Sequence, residues 1–160
     1  MLKVLYTIFL AIMLAFFIGL GIEAFYTTPK SPEYPTELQY NSKSPSEMSL
    51  ELQQMQKDYD QNMKAWQKEN SVHSRNTSMI AVAFSVIVLV LSLTVLHKIN
   101  ILSDGFLLGG PLTLLYAIIR GFGSDDNKFR FLLVSVGLIV ALILGYLKFI
   151  RPKDLKQKNS

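Results

Sequence analysis

Residues 76–96, NTSMIAVAFSVIVLVLSLTVL, run without a single charged side chain and are closed by His97 and Lys98. A bilayer core about 30 Å thick needs about 20 apolar residues in a helix rising about 1.5 Å per residue. The run meets that length, so residues 76–97 read as a membrane-spanning helix.

The same test applied outward finds three more spans. Val4 to Ile22 is free of charge and the apolar character continues past Glu23 to Tyr26, giving a span over 4–26. A cleaved signal peptide is the competing reading, but its apolar region is only about 7–15 residues long and ends in small residues. Ile22-Glu23-Ala24 is a poor cleavage site, so an uncleaved anchor is expected. The third segment, 101–120, is the weakest, because its uncharged part from Gly105 to Ile119 is shorter than a full span. The fourth, 130–149, is followed by a basic tail over 150–160, and Lys148, Arg151, Lys153, Lys156 and Lys158 place that end in the cytoplasm by the positive-inside rule. The expected fold class is therefore an all-α integral membrane protein with four transmembrane helices and a polar extracytoplasmic helical segment between the first two.

Composition agrees with this class. Half of the residues are apolar and 18% are charged, against about a quarter charged in soluble domains. With no cysteine, disulfides, thiolate metal sites and thiol nucleophiles are excluded. The net charge of +4 forms no basic face of the kind nucleic acid requires, so no nucleic-acid partner is expected. With both termini inside, the cytoplasmic side nets +5 and the outer side −1, and each span alternates consistently. A multi-pass protein of the cell membrane with both termini cytoplasmic is the expected localisation, and the lipid bilayer is its first partner.

The polar segment 27–75 divides in two. In the spacer over 27–44, Pro29, Pro32 and Pro35 recur every third residue, which favours polyproline II backbone. Ser44-Pro45-Ser46-Glu47 then carries the pattern of a helix start, with an accepting serine, proline at the first helical position and glutamate to close the box. A helix over 45–72 follows, with Met48, Leu52, Met55, Tyr59, Met63 and Trp66 on one stripe. This stripe is the expected face for a membrane-protein partner or a second copy, and the helix can continue directly into the second span.

Among the spans, Ala11, Ala15, Gly19 and Glu23 recur every four residues and share a face suited to close helix contact. Gly137, Ala141 and Gly145 repeat the pattern in the fourth span. Arg120 ends the third span on the same side as Glu23, so an ion pair between them is expected at the rim of the bundle. Gly109-Gly110-Pro111 removes a helix hydrogen bond and predicts a kink in the third span.

Catalytic patterns are lacking. Gly121-Phe122-Gly123-Ser124 has serine where an intramembrane aspartyl protease needs aspartate. His73 and His97 are expected on opposite sides of the membrane, and Asp125-Asp126 reads as a solvated turn. No cofactor, metal or catalytic residue is assigned. Four spans with a long first loop resemble the layout of tetraspan junction proteins, but the tryptophan and cysteine signature of that loop is missing, and no family is assigned. The leading expectation is a non-enzymatic scaffold or accessory subunit acting through the extracytoplasmic helix. The alternative is a channel or transport component using Glu23, Arg120 and the kinked third span.

Overall fold

The computed structural model describes residues 1–40 and 49–147. Five α-helices follow one another: α1 (Leu2–Phe25), α2 (Thr36–Tyr40), α3 (Leu50–Thr94), α4 (Asn100–Gly121) and α5 (Asn127–Gly145), with a single 3-10 turn at Leu96–Lys98 before α4. Among the described residues there is no strand. Four helices, α1, α3, α4 and α5, are long and apolar enough to cross a membrane. The expected helix start at Ser44–Glu47, Met48 and the basic tail lie outside the described residues.

The chain forms two compact units, one of Met1–Thr27 with the described residues from Ser74 onward, the other Thr28–His73. Helix α3 contributes to both and is continuous over 45 residues. It starts at Leu50, where Ser49 Oγ accepts the N–H of Leu52 at 3.4 Å and the Ser49 carbonyl accepts that of Gln53 at 3.0 Å. A serine oxygen there satisfies one of the orphan donors of the first turn. The five-residue α2 inside the proline-rich spacer has no counterpart in the sequence reading.

In the first unit, α4 is the central helix. Its glycines lie where other helices come closest. A Cβ built on Gly105 would fall 2.5 Å from Leu10 Cδ2, one on Gly109 2.7 Å from Leu14 Cδ2, and one on Gly110 2.5 Å from Leu89 Cδ2. On Gly121 it would overlap Leu133 and sit 3.1 Å from Ser78 Oγ. Thus α1, α3 and α5 each seat leucine side chains on α4 where it has no side chain of its own, the small-residue solution for helix contact in lipid. Ile18, Ile22, Ala81, Val88 and Ala117 form the buried core between α1, α3 and α4.

The face of α3 that enters this core is built from small residues. Ser74, Ser78, Ala81, Ser85, Val88 and Ser92 alternate at spacings of four and three and are all buried. Burying a hydroxyl is unfavourable unless it is hydrogen-bonded, and those of Ser78, Ser85 and Ser92 find backbone carbonyls. Ser85 Oγ donates to Gly110 O at 2.8 Å and Ser78 Oγ to Ser74 O at 2.9 Å. Ser92 and Ser103 donate reciprocally to each other's carbonyls, at 2.7 and 3.1 Å, and tie the end of α3 to the start of α4. The connection to α5 is capped by Asp126, whose Oδ1 accepts from the N–H groups of Lys128 and Phe129 at 2.9 and 3.3 Å. Arg130 Nε donates to the buried Ser124 at its carbonyl, 2.8 Å away.

Candidate functional site

Two places bring the candidate residues together, one in each unit. In the first unit, Arg120 Nη2 donates to Glu23 Oε2 at 2.9 Å. Position 23 falls on the α1 face that also carries Ala11, Ala15 and Gly19, and a Cβ on Gly19 would lie 3.5 Å from the Tyr116 ring, so one α1 face meets α4 along its length. Glu23 remains 45% exposed and Arg120 29%, which makes this a partly exposed pair worth about 1 kcal/mol or less. Beside it, Asn76 Nδ2 donates to the Tyr26 hydroxyl at 3.1 Å, joining the end of α1 to α3.

Gly109, Gly110 and Pro111 lie inside a helix that continues unbroken to Gly121. Proline removes one donor from the ladder, and two hydroxyls bond the carbonyls just before it: Thr113 Oγ1 donates to Gly109 O at 2.9 Å, and Ser85 to Gly110 O. The two glycines serve as contact points for Leu14 and Leu89, a use visible only once the neighbouring helices are in place. In α5, Gly137 is packed, with a Cβ there falling 3.1 Å from Ile118 Cδ1, whereas a Cβ on Gly145 would meet none of the described residues within 4 Å.

In the second unit, the proline-rich segment lies against the α3 stripe. Trp66 Nε1 donates to Pro29 O at 3.0 Å, and the Tyr34 and Tyr59 rings meet edge to face with centroids 5.1 Å apart. Pro32 and Pro35 line one cleft with Met55 and Tyr59. Chain direction opposes that of α3, since Pro29 lies beside Trp66 and Tyr34 beside Tyr59. Five residues of spacer, from Pro29 to Tyr34, thus accompany seven residues of helix, from Trp66 to Tyr59. Leu52, Met55, Tyr59, Met63 and Trp66 are all half-buried, while most of their neighbours are exposed. The stripe expected to be a bare partner face is partly covered by the chain's own spacer.

The remaining surface of this unit is polar and aromatic. Lys57, Asp58, Asp60, Lys64, Lys68 and Glu69 are exposed, as are Tyr34 at 53% and Tyr40 at 86%. The sequence reading missed the buried serine face of α3 and the Asp126 cap. The heptad spacing of Ser78, Ser85 and Ser92 and an aspartate just before a helical run were the available signals. No protein-family model matches the chain, and no curated protein or solved structure matches it either.

Proposed function

We propose that this is a multi-pass membrane protein whose role is non-enzymatic: a scaffold or accessory subunit that presents residues 28–73 on the extracytoplasmic side to a protein partner or a second copy. The observation that carries the reading is the packing of Pro29, Tyr34 and Pro35 on α3, which makes a prefolded unit from a short polar segment. Prefolding lowers the ordering cost of association. Exposed tyrosines on such a unit are the residue type enriched at protein contacts, and Tyr34, against Tyr59, and Tyr40, at the end of α2, fill that role. Both termini are cytoplasmic in this reading, and the four apolar helices cross the cell membrane.

The channel or transport reading has weaker support. Glu23 and Arg120 engage each other, and Ser78, Ser85, Ser92 and Thr113 spend their hydroxyls on backbone carbonyls. The test is site-specific photocrosslinking in native membranes from Tyr34 and Tyr40, with Tyr6 as a control inside α1. A discrete crosslinked product from the two external positions is expected. An inserted protein that gives none from either position overturns the scaffold reading, and ion flux from the purified chain in liposomes would replace it.

A further inference from the structure

A groove of about 730 Å³ opens between α1, α4 and α5, within the size range of ligand sites. Its depth is apolar, with Leu107, Leu108, Pro111, Ala141 and Leu144 along it. Its mouth is polar and holds both signs of charge, Lys3 from α1 and Asp104 from α4, with Asn100 beside them. Two features of the fold leave this space open. Gly145 lines the groove, and among the described residues nothing lies within 4 Å of the place where its Cβ would be. Helix α4 begins at the mouth without a side-chain cap, and its first internal bond is Ser103 N–H to Ile99 O, so the N–H groups of Asn100 and Ile101 precede the ladder.

We propose that the groove binds one phospholipid with a primary-ammonium headgroup, phosphatidylethanolamine being the probe, from the leaflet at the Lys3 end. An acyl chain matches the apolar depth. The phosphate lies on Lys3 and the uncapped start of α4, where both the ammonium and the helix dipole favour an anion. The lipid ammonium donates to Asp104, whose carboxylate accepts several hydrogen bonds in addition to the interaction it already has. A headgroup carrying both charges complements a mouth carrying both. A choline headgroup has no N–H to donate, and a glycerol headgroup offers Asp104 only neutral hydroxyl donors, without the positive charge that strengthens the bond.

The inference rests on the helices crossing a bilayer and is independent of residues 28–73. Resistance to carbonate extraction scores insertion separately. The full chain is extracted from vesicles containing equal parts of phosphatidylethanolamine, phosphatidylcholine and phosphatidylglycerol, and the phospholipid retained on the purified protein is quantified. Ethanolamine lipid is expected to be retained over choline lipid by about tenfold, the worth of one charge-assisted hydrogen bond. Asp104→Asn should reduce that ratio towards unity and Asp104→Glu should restore it. Lys3→Gln should lower retention of both lipids, and Ala141→Phe should empty the groove while the helix content stays unchanged. Equal retention by an inserted wild-type chain overturns the proposal, as does a preference that survives both Asp104→Asn and Ala141→Phe. A preference for phosphatidylglycerol overturns the ammonium assignment.

Discussion

Replacing Gly110 by alanine adds one methyl group at the closest approach of α3 and α4. Its Cβ would fall 2.5 Å from both Cγ and Cδ2 of Leu89, whereas carbon atoms in packed interiors settle at about 3.5–4.0 Å. Because Leu89 is 7% exposed and its branching carbon is itself overlapped, swinging one methyl aside is not enough. The helices must separate by about 1 Å, and that movement also stretches the bond from Ser85 Oγ to the Gly110 carbonyl. Overpacking of this kind costs about 1–3 kcal/mol, and a hydrogen bond between membrane helices is worth about 0.6 kcal/mol. Against these stands the better helix propensity of alanine, about 1 kcal/mol. The expected net effect is a loss of about 1–2 kcal/mol. Gly145→Ala is the matched control, since no described residue lies within 4 Å of the added methyl and the propensity gain of up to about 1 kcal/mol acts alone. Both variants are to be measured by reversible unfolding of the full chain in bicelles, followed by circular dichroism. Leu89→Ala, which makes room for the new methyl, should couple favourably with Gly110→Ala in a double-mutant cycle. If Gly110→Ala proves as stable as Gly145→Ala, the close seating of Leu89 on α4 is wrong.

Glu23→Gln and Arg120→Gln should each cost about 1 kcal/mol or less, and the double variant little more than either alone; strict additivity in the same unfolding assay would rule out their pairing. Ser92→Ala removes one half of the reciprocal clamp with Ser103 and should cost about 0.5–1.5 kcal/mol, because the Ser103 carbonyl loses the Ser92 hydroxyl while the Ser103 hydroxyl keeps the backbone oxygen of residue 92; a neutral result means the clamp contributes nothing. Trp66 is the chain's single tryptophan, so its fluorescence reports directly on the spacer: Pro29→Gly should shift the emission to the red and speed proteolysis between residues 28 and 40, and an unchanged spectrum would show that the spacer does not rest there. Peptides compare the unit with its helix alone: residues 28–75 should be more helical in water than residues 49–75, and equal helicity would remove any stabilising role for the prolines.

The helices long and apolar enough to cross a membrane were legible because a long uncharged run is a property of the chain itself, requiring no knowledge of neighbours. Residues 76–96 and 4–26 show this: α3 covers the first as far as Thr94 and α1 the second as far as Phe25. The short third segment was harder to read. Asp104 and Arg120 trim its uncharged part, yet the helix extends over Asn100–Gly121 because one charge sits near each end. The Glu23–Arg120 contact could be anticipated from side and depth, since each residue lies near the same end of its helix. What could not be read was which face of α4 its glycines serve. Gly109 and Gly110 next to Pro111 suggest a kink when considered along one chain, and become contact points only when Leu14 and Leu89 arrive from two other helices.

The serine face and the covered stripe escaped for the same physical reason, although they lie in opposite environments. A serine in an apolar run carries no sign of whether its hydroxyl turns to its own helix or crosses to another, and Ser85 takes the second course only because Gly110 lets a carbonyl come within 2.8 Å. The periodicities of the spacer and the stripe were each visible, three for the prolines and seven for Leu52, Tyr59 and Trp66. The pairing of Pro29 with Trp66 and of Tyr34 with Tyr59 is a relation between two segments with different rises per residue. A reading that treats each segment by its own period leaves the stripe bare and assigns it to an outside partner. Placing the two segments together makes the spacer an occupant of that stripe, and under the proposed scaffold role a partner would meet Tyr34 and Tyr40 in place of the stripe's centre.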